Sequence, residues 1–475
     1  MIALTLAEIA AATLGELHLD DTDASPETIV DGAVTTDSRE VVPGGVFVAK
    51  RGEFDDGHRF ADRAAEAGAA LLVVEHPLEL PVPQVVVDDS VEALGRLATE
   101  VVARVRALGR LRIVGVTGSN GKTTTKNLLR TVLERVGDTV AARKSFNNEV
   151  GAPITMLELT ETTEFLVAEM GASGVGEIAR LVRMARPDVG IVLKVGLAHA
   201  GEFGGIERTV LAKSEMVTEL LPTDVAVLNA DDPRVAPMAE LTRARVVTFG
   251  LGDDAQVRAS DIRVHARGTE FTVTVAGEAS GPADAARVSF GVLGEHHIMN
   301  ALAAIAAARQ LGVPLDEIVT ALGEVTLAEH GRMEVLGGRD DVTVINDAYN
   351  ASPDSMSAAL KTLAQVKREG ARTIAVLGPM SELGEFSGEE HDLIGLLAVR
   401  LGISQLVVVG AEARRLHISA INEGSWDGES AFVESQDEAF ALVTSLARPG
   451  DTILVKSSNA AGLHRLADRL GEWFS

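Results

Sequence analysis

The glycine-rich stretch GVTGSNGKTTTK, at residues 115–126, constrains the fold of this chain more than any other segment. It follows the apolar run LRIVGV and precedes the amphipathic run KTTTKNLLRTVLERVG, which predicts the order strand, loop, helix. Such a loop directs backbone N–H groups to one point in front of a helix N-terminus, where anions bind. The usual phosphate-loop pattern has a glycine where Val116 stands, whereas Gly115 lies one residue earlier. The stretch therefore predicts a nucleotide site of a particular kind, and a structural strand-to-helix turn is the alternative.

The residue types of this loop suit a nucleotide that carries a magnesium ion. Lys122 can neutralise a β- or γ-phosphate, and the hydroxyl of Thr123 or Thr124 is short enough to bind the Mg²⁺ that bridges them. The loop residues predicted to bind the nucleotide are Gly118, Ser119, Asn120, Gly121, Lys122, Thr123 and Thr124.

Composition favours an α/β protein of several domains. The chain has 475 residues, enough for roughly three domains of about 150 residues each. Hydrophobic residues make up 46% and aromatic residues only 3%, so Leu, Val, Ile and Ala build the interior, as in sheets flanked by helices. The formal charge of -26, from 43 basic and 69 acidic residues, repels nucleic acids and anionic membranes. We predict neither a nucleic-acid partner nor membrane insertion.

Two further features of the sequence bear on where such a chain works. It has no cysteine, which excludes disulfides, thiolate zinc sites and cysteine nucleophiles. Its first residues, MIALTLAEIAAATLGELHLD, lack a basic start and contain Glu8 and Glu16, unlike a signal peptide. We find no apolar run of about 18 residues that could span a membrane. The expectation is a soluble cytoplasmic protein.

The rhythm of strands and helices divides the chain into three parts. Residues 1–108 mix the short strands GGVFVAK and ALLVVEH with helical stretches, as in a small α/β domain. From residue 109 the apolar strands EFLVAEMG, DVGIVLKVG, DVAVLNADD and RVVTFG alternate with helices, which predicts a largely parallel sheet. An alternating segment between Asp253 and Phe290 predicts a small antiparallel patch. The rhythm restarts near Leu327 with VTVINDAY, RTIAVLG, QLVVVG and DTILVKSS.

Several motifs in the same order resemble the Mur ligases, the ADP-forming amide-bond ligases that build the peptide stem of peptidoglycan. They are TTDSRE, TGSNGKTTT, SFNNEVGAP, VAEMGASGVGEI, AHAGEFGGIERTVLAKSEM, LNADDPR, HGRME, INDAYNASPDSM and VLGPMSELGEFSGEEH. The resemblance implies an α/β fold with three domains: a small α/β N-terminal domain that binds a UDP precursor (1–108), a central P-loop ATPase domain with a mostly parallel sheet (109–326), and a C-terminal Rossmann-like α/β domain with dipeptide and nucleotide contacts (327–475). ATP and Mg²⁺ are the implied cofactors.

Within the family, NNEVGAP and DAYNASPDSM look like the member that adds D-alanyl-D-alanine to UDP-N-acetylmuramoyl-tripeptide. The sister ligase that adds the third stem residue normally has a histidine-threonine-proline segment where this chain has YNASP. Two further functions stay open: a P-loop kinase or switch that forms no amide bond, and a weakened relative that only binds the precursor. The third stem residue stays open among lysine, ornithine and diaminopimelate. We expect a monomer, although no residue pattern addresses assembly.

The implied reaction explains why these residue types are wanted. A free carboxylate must first take the γ-phosphoryl group of ATP, and an amine then displaces phosphate through a tetrahedral intermediate. Both steps place negative charge at one locus, so magnesium and cationic side chains are the main catalysts. Glu169 ends the strand FLVAEM at the carboxyl edge of the sheet, where a carboxylate can reach a metal. The resemblance implies catalytic roles for Lys122, Glu169, His199 and Lys213, and metal binding by Thr123, Glu169, His199 and a carbamylated Lys213.

The remaining site residues are also implied by the resemblance, with plain loops or polar turns as the competing interpretation. Beyond the loop, ATP contacts are expected from Asn300, Arg332 and Asp347. Substrate contacts are expected from Ser38, Arg39, Asp56, Gly57, His58, Asn147, Asn148, Glu149, Tyr349 and Asn350. The chain departs from the family pattern at Lys194, His297, Pro379, Ser457 and Asn459, mostly in the half that would receive the dipeptide.

Overall fold

The computed structural model describes residues 1–20, 22–52, 55–142, 145–196, 205–265, 268–277, 283–325, 330–368, 370–424 and 429–475. Within these ranges, the strands of each predicted part form their own sheet or sheets. The fold is therefore mixed α/β in three parts, as predicted, and the domain boundaries themselves stay predictions.

The N-terminal part contains a mostly parallel sheet and a two-stranded antiparallel pair. Its strands are β1 (Leu4–Thr5), β2 (Glu16–His18), β3 (Ile29–Val30), β4 (Val34–Thr35), β5 (Val46–Val48), β6 (Leu71–Val74) and β7 (Gln84–Val86). β1 pairs with β3, and the sheet order is β2-β7-β6-β5-β4 with only β2 antiparallel. Its helices are Leu6–Thr13, Ala61–Glu66 and Ser90–Ala107. Because β4 to β7 are parallel, the segments after β4 and β5 meet at one edge of the sheet.

The helix Ser90–Ala107 packs the N-terminal part against the central part. Asp89 caps it by accepting hydrogen bonds from the N–H groups of Val91 and Glu92. Its apolar face belongs to one hydrophobic core that continues into the helices flanking the central sheet. At its last turn Arg106 Nη1 lies 3.0 Å from Asp188 Oδ1, whose other oxygen accepts from the N–H of Ile113. The N-terminal and central parts thus share a core and a half-buried ion pair.

The central part is built on one long sheet with the order β16-β15-β14-β13-β12-β11-β8-β10-β9. Its strands are β8 (Arg112–Thr117), β9 (Thr139–Ala141), β10 (Phe165–Glu169), β11 (Val189–Val192), β12 (Val225–Asn229), β13 (Arg245–Gly250), β14 (Val257–His265), β15 (Gly268–Val275) and β16 (Asp284–Phe290). Neighbours from β9 to β14 are parallel, and β15 and β16 extend the sheet as antiparallel strands. The predicted antiparallel patch is therefore a continuation of the central sheet.

Helices cover both faces of this sheet. They are Lys122–Leu133, Gly151–Met156, Glu177–Ala185, Ile206–Thr218, Glu295–Gln310 and Leu315–Gly323. The alanine-rich helix Glu295–Gln310 packs closely on Lys122–Leu133, and both bury apolar residues against β8 and β10 to β14. Since β8 and β10 are adjacent and parallel, the loop after β8 and the acid that ends β10 lie at the same edge.

Gly115 lies inside β8 and is not part of the loop. The strand runs on to Thr117, one residue beyond the predicted end at Val116. A side-chain carbon on Gly115 would lie 3.1 Å from Met216 Cε and 3.3 Å from Met170 Cε. The absence of a side chain at Gly115 thus lets two methionines pack closely on the strand. The glycines of the loop itself are Gly118 and Gly121.

The C-terminal part has a sheet with the order β17-β18-β22-β19-β20-β21. Its strands are β17 (Glu334–Gly337), β18 (Thr343–Asn346), β19 (Thr373–Leu377), β20 (Gln405–Val409), β21 (Ser430–Val433) and β22 (Thr452–Lys456). All pairs are parallel except β17 with β18. Its helices are Pro353–Gln365, Ser387–Arg400, Arg414–Glu423, Gln436–Leu446 and His464–Trp473. The edge strand β17 contains only four residues and was not predicted from the sequence.

Short 3-10 helices join several of these elements, and they are Gly57–Phe60, Ala236–Leu241, Arg339–Asp341, Gly384–Phe386, Ala411–Ala413 and Asn459–Ala461. In the part of the chain that the structure describes, no helix combines the length and the apolar run needed to cross a bilayer.

Candidate functional site

The loop between β8 and the helix Lys122–Leu133 has the conformation of a phosphate loop. Gly118 and Gly121 have φ values of 149° and 87°, which favour glycine. A side-chain carbon on Gly121 would also lie only 2.2 Å from Asn300 Oδ1. The N–H of Ser119 donates to the carbonyl of Lys194 at 2.7 Å and ties the loop to the end of β11. The backbone conformation, the close approach of Asn300 and the hydrogen bond to Lys194 together fix the position of the loop in front of the helix.

Lys122 begins that helix and points back over the loop. Its Nζ donates to the carbonyl oxygen of Gly118 at 2.8 Å. Burial lowers the pKa of Lys122 below its usual value, the Glu169 carboxylate opposes this, and the Arg332 cation adds to it. A cation that is held by one carbonyl in a desolvated pocket can exchange that bond for a phosphate oxygen.

Glu169 places a buried carboxylate beside the loop. Its side chain is 1% exposed. Oε1 accepts from Asn147 Nδ2 at 2.8 Å and from Thr123 Oγ1 at 3.3 Å. Oε2 lies 3.9 Å from Lys126 Nζ and has no hydrogen-bond partner among the described residues. A buried carboxylate oxygen without a hydrogen bond, next to a hydroxyl, is the kind of oxygen site that Mg²⁺ uses.

Thr123 connects the loop to the C-terminal part of the chain. Its Oγ1 lies 3.2 Å from Ser145 Oγ and accepts from Arg332 Nη2 at 3.2 Å. The Arg332 guanidinium stacks over the ring of Tyr349, 4.3 Å from its centroid, and the Tyr349 hydroxyl lies 3.2 Å from Ser145 Oγ. A cation from residues 330–368 therefore reaches the phosphate loop.

Asp347 follows β18 and is held by a lysine that the sequence analysis did not select. Lys456 Nζ, at the end of β22, lies 2.6 Å from Asp347 Oδ2 and donates to the carbonyl of Asn350 at 2.9 Å. Asp347 Oδ1 accepts from the N–H of Met333 at 3.1 Å. One buried ion pair thus orients Asp347 and the turn after it. Lys456 is the first residue of the run KSSNAAGL. Its position at the end of an apolar strand is the feature from which the sequence could have identified it as a site residue.

Two adjacent histidines lie next to Asn300. Burial lowers the pKa of His296 to about 4 and moves the pKa of His297 well below its usual value, so both rings are neutral at pH 7. The rings are 4.1 Å apart, and Asn300 Nδ2 lies 3.4 Å from His297 Nδ1. His296 Nδ1 and His297 Nε2 are buried with no hydrogen-bond partner in the described chain. The pair adds uncharged polar atoms to the site, and His296 was not predicted.

A cavity of about 290 Å³ collects most of the predicted nucleotide residues. Its lining residues are Ser119, Asn120, Gly121, Lys122, Thr123, Thr124, Ser145, Asn147, Glu169, His296, His297, Asn300, Gly331, Arg332, Asp347, Tyr349, Asn350, Ser355 and Lys456. Ser145, His296, His297, Gly331, Ser355 and Lys456 were not predicted as site residues. They come from five separate segments, which the fold brings to one edge of the central sheet.

Lys213 and the segment after Asn147 lie beside this cavity and do not line it. Lys213 is 3% exposed on the helix Ile206–Thr218. Burial and, second, the positive charge of Lys122 lower its pKa to about 7, against the opposing charges of Glu177 and Glu215. Asn148 and Glu149 line a smaller neighbouring cavity with Arg180, whose Nη1 lies 3.8 Å from Glu149 Oε2. His199 lies outside the described residues.

The predicted contacts of the N-terminal part lie away from this cavity lining, at the carboxyl edge of its own sheet. Arg39 Nε donates to Asp37 Oδ1 at 2.9 Å, and hydrogen bonds from Arg39 hold the pKa of Asp37 at about 2. His58 Nε2 accepts from the N–H of Glu75 at 2.8 Å, so its Nδ1 carries the proton and donates to Asp56 Oδ1 at 2.6 Å. These bonds shape the turns that contain Ser38 and Gly57, whose ligand contacts stay predictions.

Replacing Arg332 tests the contact between the C-terminal part and the loop. We expect Arg332→Lys to raise the KM for ATP about tenfold, because lysine keeps the charge but loses the planar stack on Tyr349 and the fixed direction of its donors. Arg332→Ala should lower kcat/KM by about 10²-fold, since the charge is lost as well. Steady-state kinetics with ATP as the varied substrate measures both. A wild-type KM for ATP in Arg332→Lys would contradict a role for the stacked geometry, and equal losses in the two variants would contradict a role for the charge.

Comparison with known proteins gives one consistent family. Family models match residues 32–111 (Mur ligase family, catalytic domain), 116–308 (Mur ligase middle domain) and 331–459 (Mur ligase, glutamate ligase domain). The UDP-N-acetylmuramoyl-tripeptide--D-alanyl-D-alanine ligase of Mycobacterium tuberculosis is 41% identical, and the alignment covers 99% of this chain and 98% of that protein.

Solved structures agree with these matches. MurF from Acinetobacter baumannii superimposes with a TM-score of 0.87 at 31% identity and covers 99% of both chains. The MurF ligase from Thermotoga maritima in complex with ADP gives a TM-score of 0.80 at 28% identity, covering 93% of this chain and 98% of that one.

Proposed function

The chain belongs to the Mur ligase family, and from this membership we infer that it joins D-alanyl-D-alanine to UDP-N-acetylmuramoyl-tripeptide with cleavage of ATP to ADP. The observation that carries the inference is full-length similarity to ligases named for this reaction, at 41% identity, together with a phosphate loop facing a buried carboxylate. The product is a precursor of the peptidoglycan stem. The sister ligase and the kinase or switch are the two functions that this similarity disfavours.

The cavity residues fit the first half of the reaction, in which the tripeptide carboxylate takes the γ-phosphoryl group of ATP. The loop amides and Lys122 would hold the phosphates, and Arg332 would add a second cation from the opposite side. His297 and Asn300 would form the far wall of the nucleotide site. Attack by the dipeptide amine then expels phosphate and forms the amide bond, which leaves ADP and inorganic phosphate.

Thr123 and Glu169 fit a magnesium ion, since both supply oxygen atoms and one buried Glu169 oxygen has no hydrogen bond among the described residues. When bound, Mg²⁺ supplies positive charge that offsets the charge of the phosphates. Asn147 orients Glu169 through its 2.8 Å hydrogen bond, so it acts on this site through the carboxylate. His199 and a carbamylated Lys213 are the further ligands we propose.

The other substrate contacts are assigned by position along the chain. We place the UDP end of the precursor at the carboxyl edge of the N-terminal sheet, near Ser38, Arg39 and residues 56–58, because these segments follow adjacent parallel strands. Tyr349 and Asn350 lie between the phosphate loop and the C-terminal sheet, where an incoming dipeptide could meet the activated carboxylate. The protein is proposed to act as a monomer.

One assay tests the function directly. The protein is incubated with ATP, Mg²⁺, D-alanyl-D-alanine and UDP-tripeptides ending in lysine, ornithine or diaminopimelate. We expect phosphate release that requires both the tripeptide and the dipeptide, and a product whose mass equals the two joined with loss of water. ADP formation without the dipeptide would indicate a kinase or ATPase. A parallel incubation with a UDP-dipeptide precursor and a single amino acid tests for the sister ligase, which alone would turn these over.

A further inference from the structure

An ion pair bridges the central and C-terminal parts next to Ser355, a residue of the nucleotide cavity lining. Lys194 follows β11, and Asp354 lies in the first turn of the helix Pro353–Gln365. Lys194 Nζ lies 2.7 Å from Asp354 Oδ1, and the two side chains are 45% and 30% exposed. The pair is thus partly solvated and joins residues that are 160 positions apart in the chain.

The surroundings of Asp354 are shaped for this contact. A side-chain carbon on Gly196 would lie 2.0 Å from Asp354 Oδ2, so only glycine lets the carboxylate lie against that backbone. Asp354 also follows Pro353 at the start of its helix, where a negative charge is favourable. Beside it Ser352, the N-cap, donates from Oγ to Asn120 Oδ1 at 3.2 Å. The helix N-terminus therefore contacts the phosphate loop through Ser352 and the segment after β11 through Asp354.

Lys194 contacts the phosphate loop as well as the helix. Its carbonyl oxygen accepts the N–H of Ser119 at 2.7 Å, while its ammonium group binds Asp354. We propose that Lys194 is a positioning residue that holds the C-terminal part closed over the cavity through Asp354 and links that closure to the phosphate loop through its own backbone. The inference rests on the proposed ligase reaction, in which the C-terminal part must bring the dipeptide to the loop.

Because Lys194 is charged, an experiment can distinguish the proposed ionic contact from a merely structural role of this residue. An asparagine, which the family resemblance leads one to expect at this position, could donate a hydrogen bond but would carry no charge. Only an ionic contact weakens as salt is added, since the screening length falls from about 14 Å at 50 mM to about 4 Å at 500 mM ionic strength. Salt dependence is therefore the diagnostic property.

The test compares the wild type with Lys194→Asn, Lys194→Arg and Lys194→Glu at about 50 mM and about 500 mM NaCl. For the wild type and Lys194→Arg, we expect the KM for D-alanyl-D-alanine to rise about two- to fivefold with salt, the range for a partly exposed pair, with kcat nearly constant. Lys194→Asn should have the raised KM at both salt concentrations. Lys194→Glu should raise the KM further at low salt, because two like charges then face each other.

Lys361→Asn is the matched control, since it removes the same charge from an exposed position on the same helix as Asp354. It should behave as the wild type. Small-angle X-ray scattering adds a readout that does not depend on activity: Lys194→Glu should have a larger radius of gyration than the wild type at low salt.

The outcomes separate the two hypotheses. An equal salt response of the wild type and Lys194→Asn, or an unchanged radius of gyration in Lys194→Glu, overturns the proposed positioning role of Lys194 while leaving the ligase reaction intact. Absence of dipeptide-dependent turnover in the wild type overturns the proposed function instead, and the scattering comparison then still decides whether Lys194 closes the molecule.

Discussion

Replacing Lys122 by methionine is expected to lower kcat by about 10³-fold, at the upper end of what loss of one group that stabilises developing charge costs. Methionine keeps most of the length of the side chain, being one atom shorter, and removes its charge. Among the described residues, Lys122 Nζ donates to one acceptor, the Gly118 carbonyl, and it lies in a pocket where burial lowers its pKa. A cation with so little solvation interacts strongly with phosphate oxygens, and most strongly where their charge increases during transfer.

In this variant, we expect the affinity for ADP to fall much less than kcat does. Calorimetric titration should show that the affinity for ADP falls by only about tenfold, because the loop amides still bind the phosphates. Lys361→Met is the matched control for removal of a lysine charge from the surface. Since Lys122 starts a helix whose other residues bury a full apolar face, the variant should fold, which circular dichroism can verify. A kcat within tenfold of the wild type would contradict the catalytic role of Lys122.

The sequence predicted those site residues that stand at the ends of strands. Lys122, Glu169 and Asp347 each follow or end an apolar strand of a parallel sheet, and parallel strands bring such positions to one edge. A short apolar run bounded by a polar residue is visible in sequence, so this part of the site needed no knowledge of packing.

The residues that sequence reasoning missed depend on contacts between distant segments. Ser145, which was missed, meets Tyr349 across 204 positions, just as the predicted residues Thr123 and Arg332 meet each other across 209. Lys456 and His296 take their roles from neighbours that only the folded chain supplies. The edge strand β17 was missed for a similar reason. Its four residues show only a weak alternation of polar and apolar side chains, and the strand is defined by its pairing with β18. Local pattern fixes the elements, while the docking of the C-terminal part on the loop is decided by tertiary contacts.

Lys213 offers the second large effect, and its pKa explains why. With its pKa lowered to about 7 by burial, roughly half of the Lys213 side chains are neutral at pH 7, against about one in three thousand for an ordinary lysine. Only the neutral amine attacks CO₂, forming a carbamate and releasing a proton. Carbamylation turns a buried cation near Lys122 into an anion, which replaces the repulsion between the two lysines with attraction and supplies oxygen atoms suited to Mg²⁺.

We therefore expect Lys213→Ala to lower kcat by about 10²- to 10³-fold. Acetate or propionate should restore part of the activity, because a small carboxylate can enter the space left by the side chain and replace the carbamate oxygens. Lys361→Ala, treated identically, should show neither the loss nor the response to carboxylates.

The pH dependence should follow the same chemistry. In buffer freed of CO₂, wild-type activity should fall, and added bicarbonate should restore it more slowly at pH 6 than at pH 8, because the neutral fraction of a group with a pKa of about 7 is about one tenth at pH 6 and nine tenths at pH 8. Lys213→Ala should not respond to bicarbonate at either pH. Two results would refute the role: unchanged turnover in Lys213→Ala, or wild-type activity that is indifferent to CO₂ removal while the mass of the intact protein shows no carbamate. A loss of activity in Lys213→Ala without rescue by carboxylates, combined with a lowered melting temperature, would instead assign Lys213 to the stability of its helix.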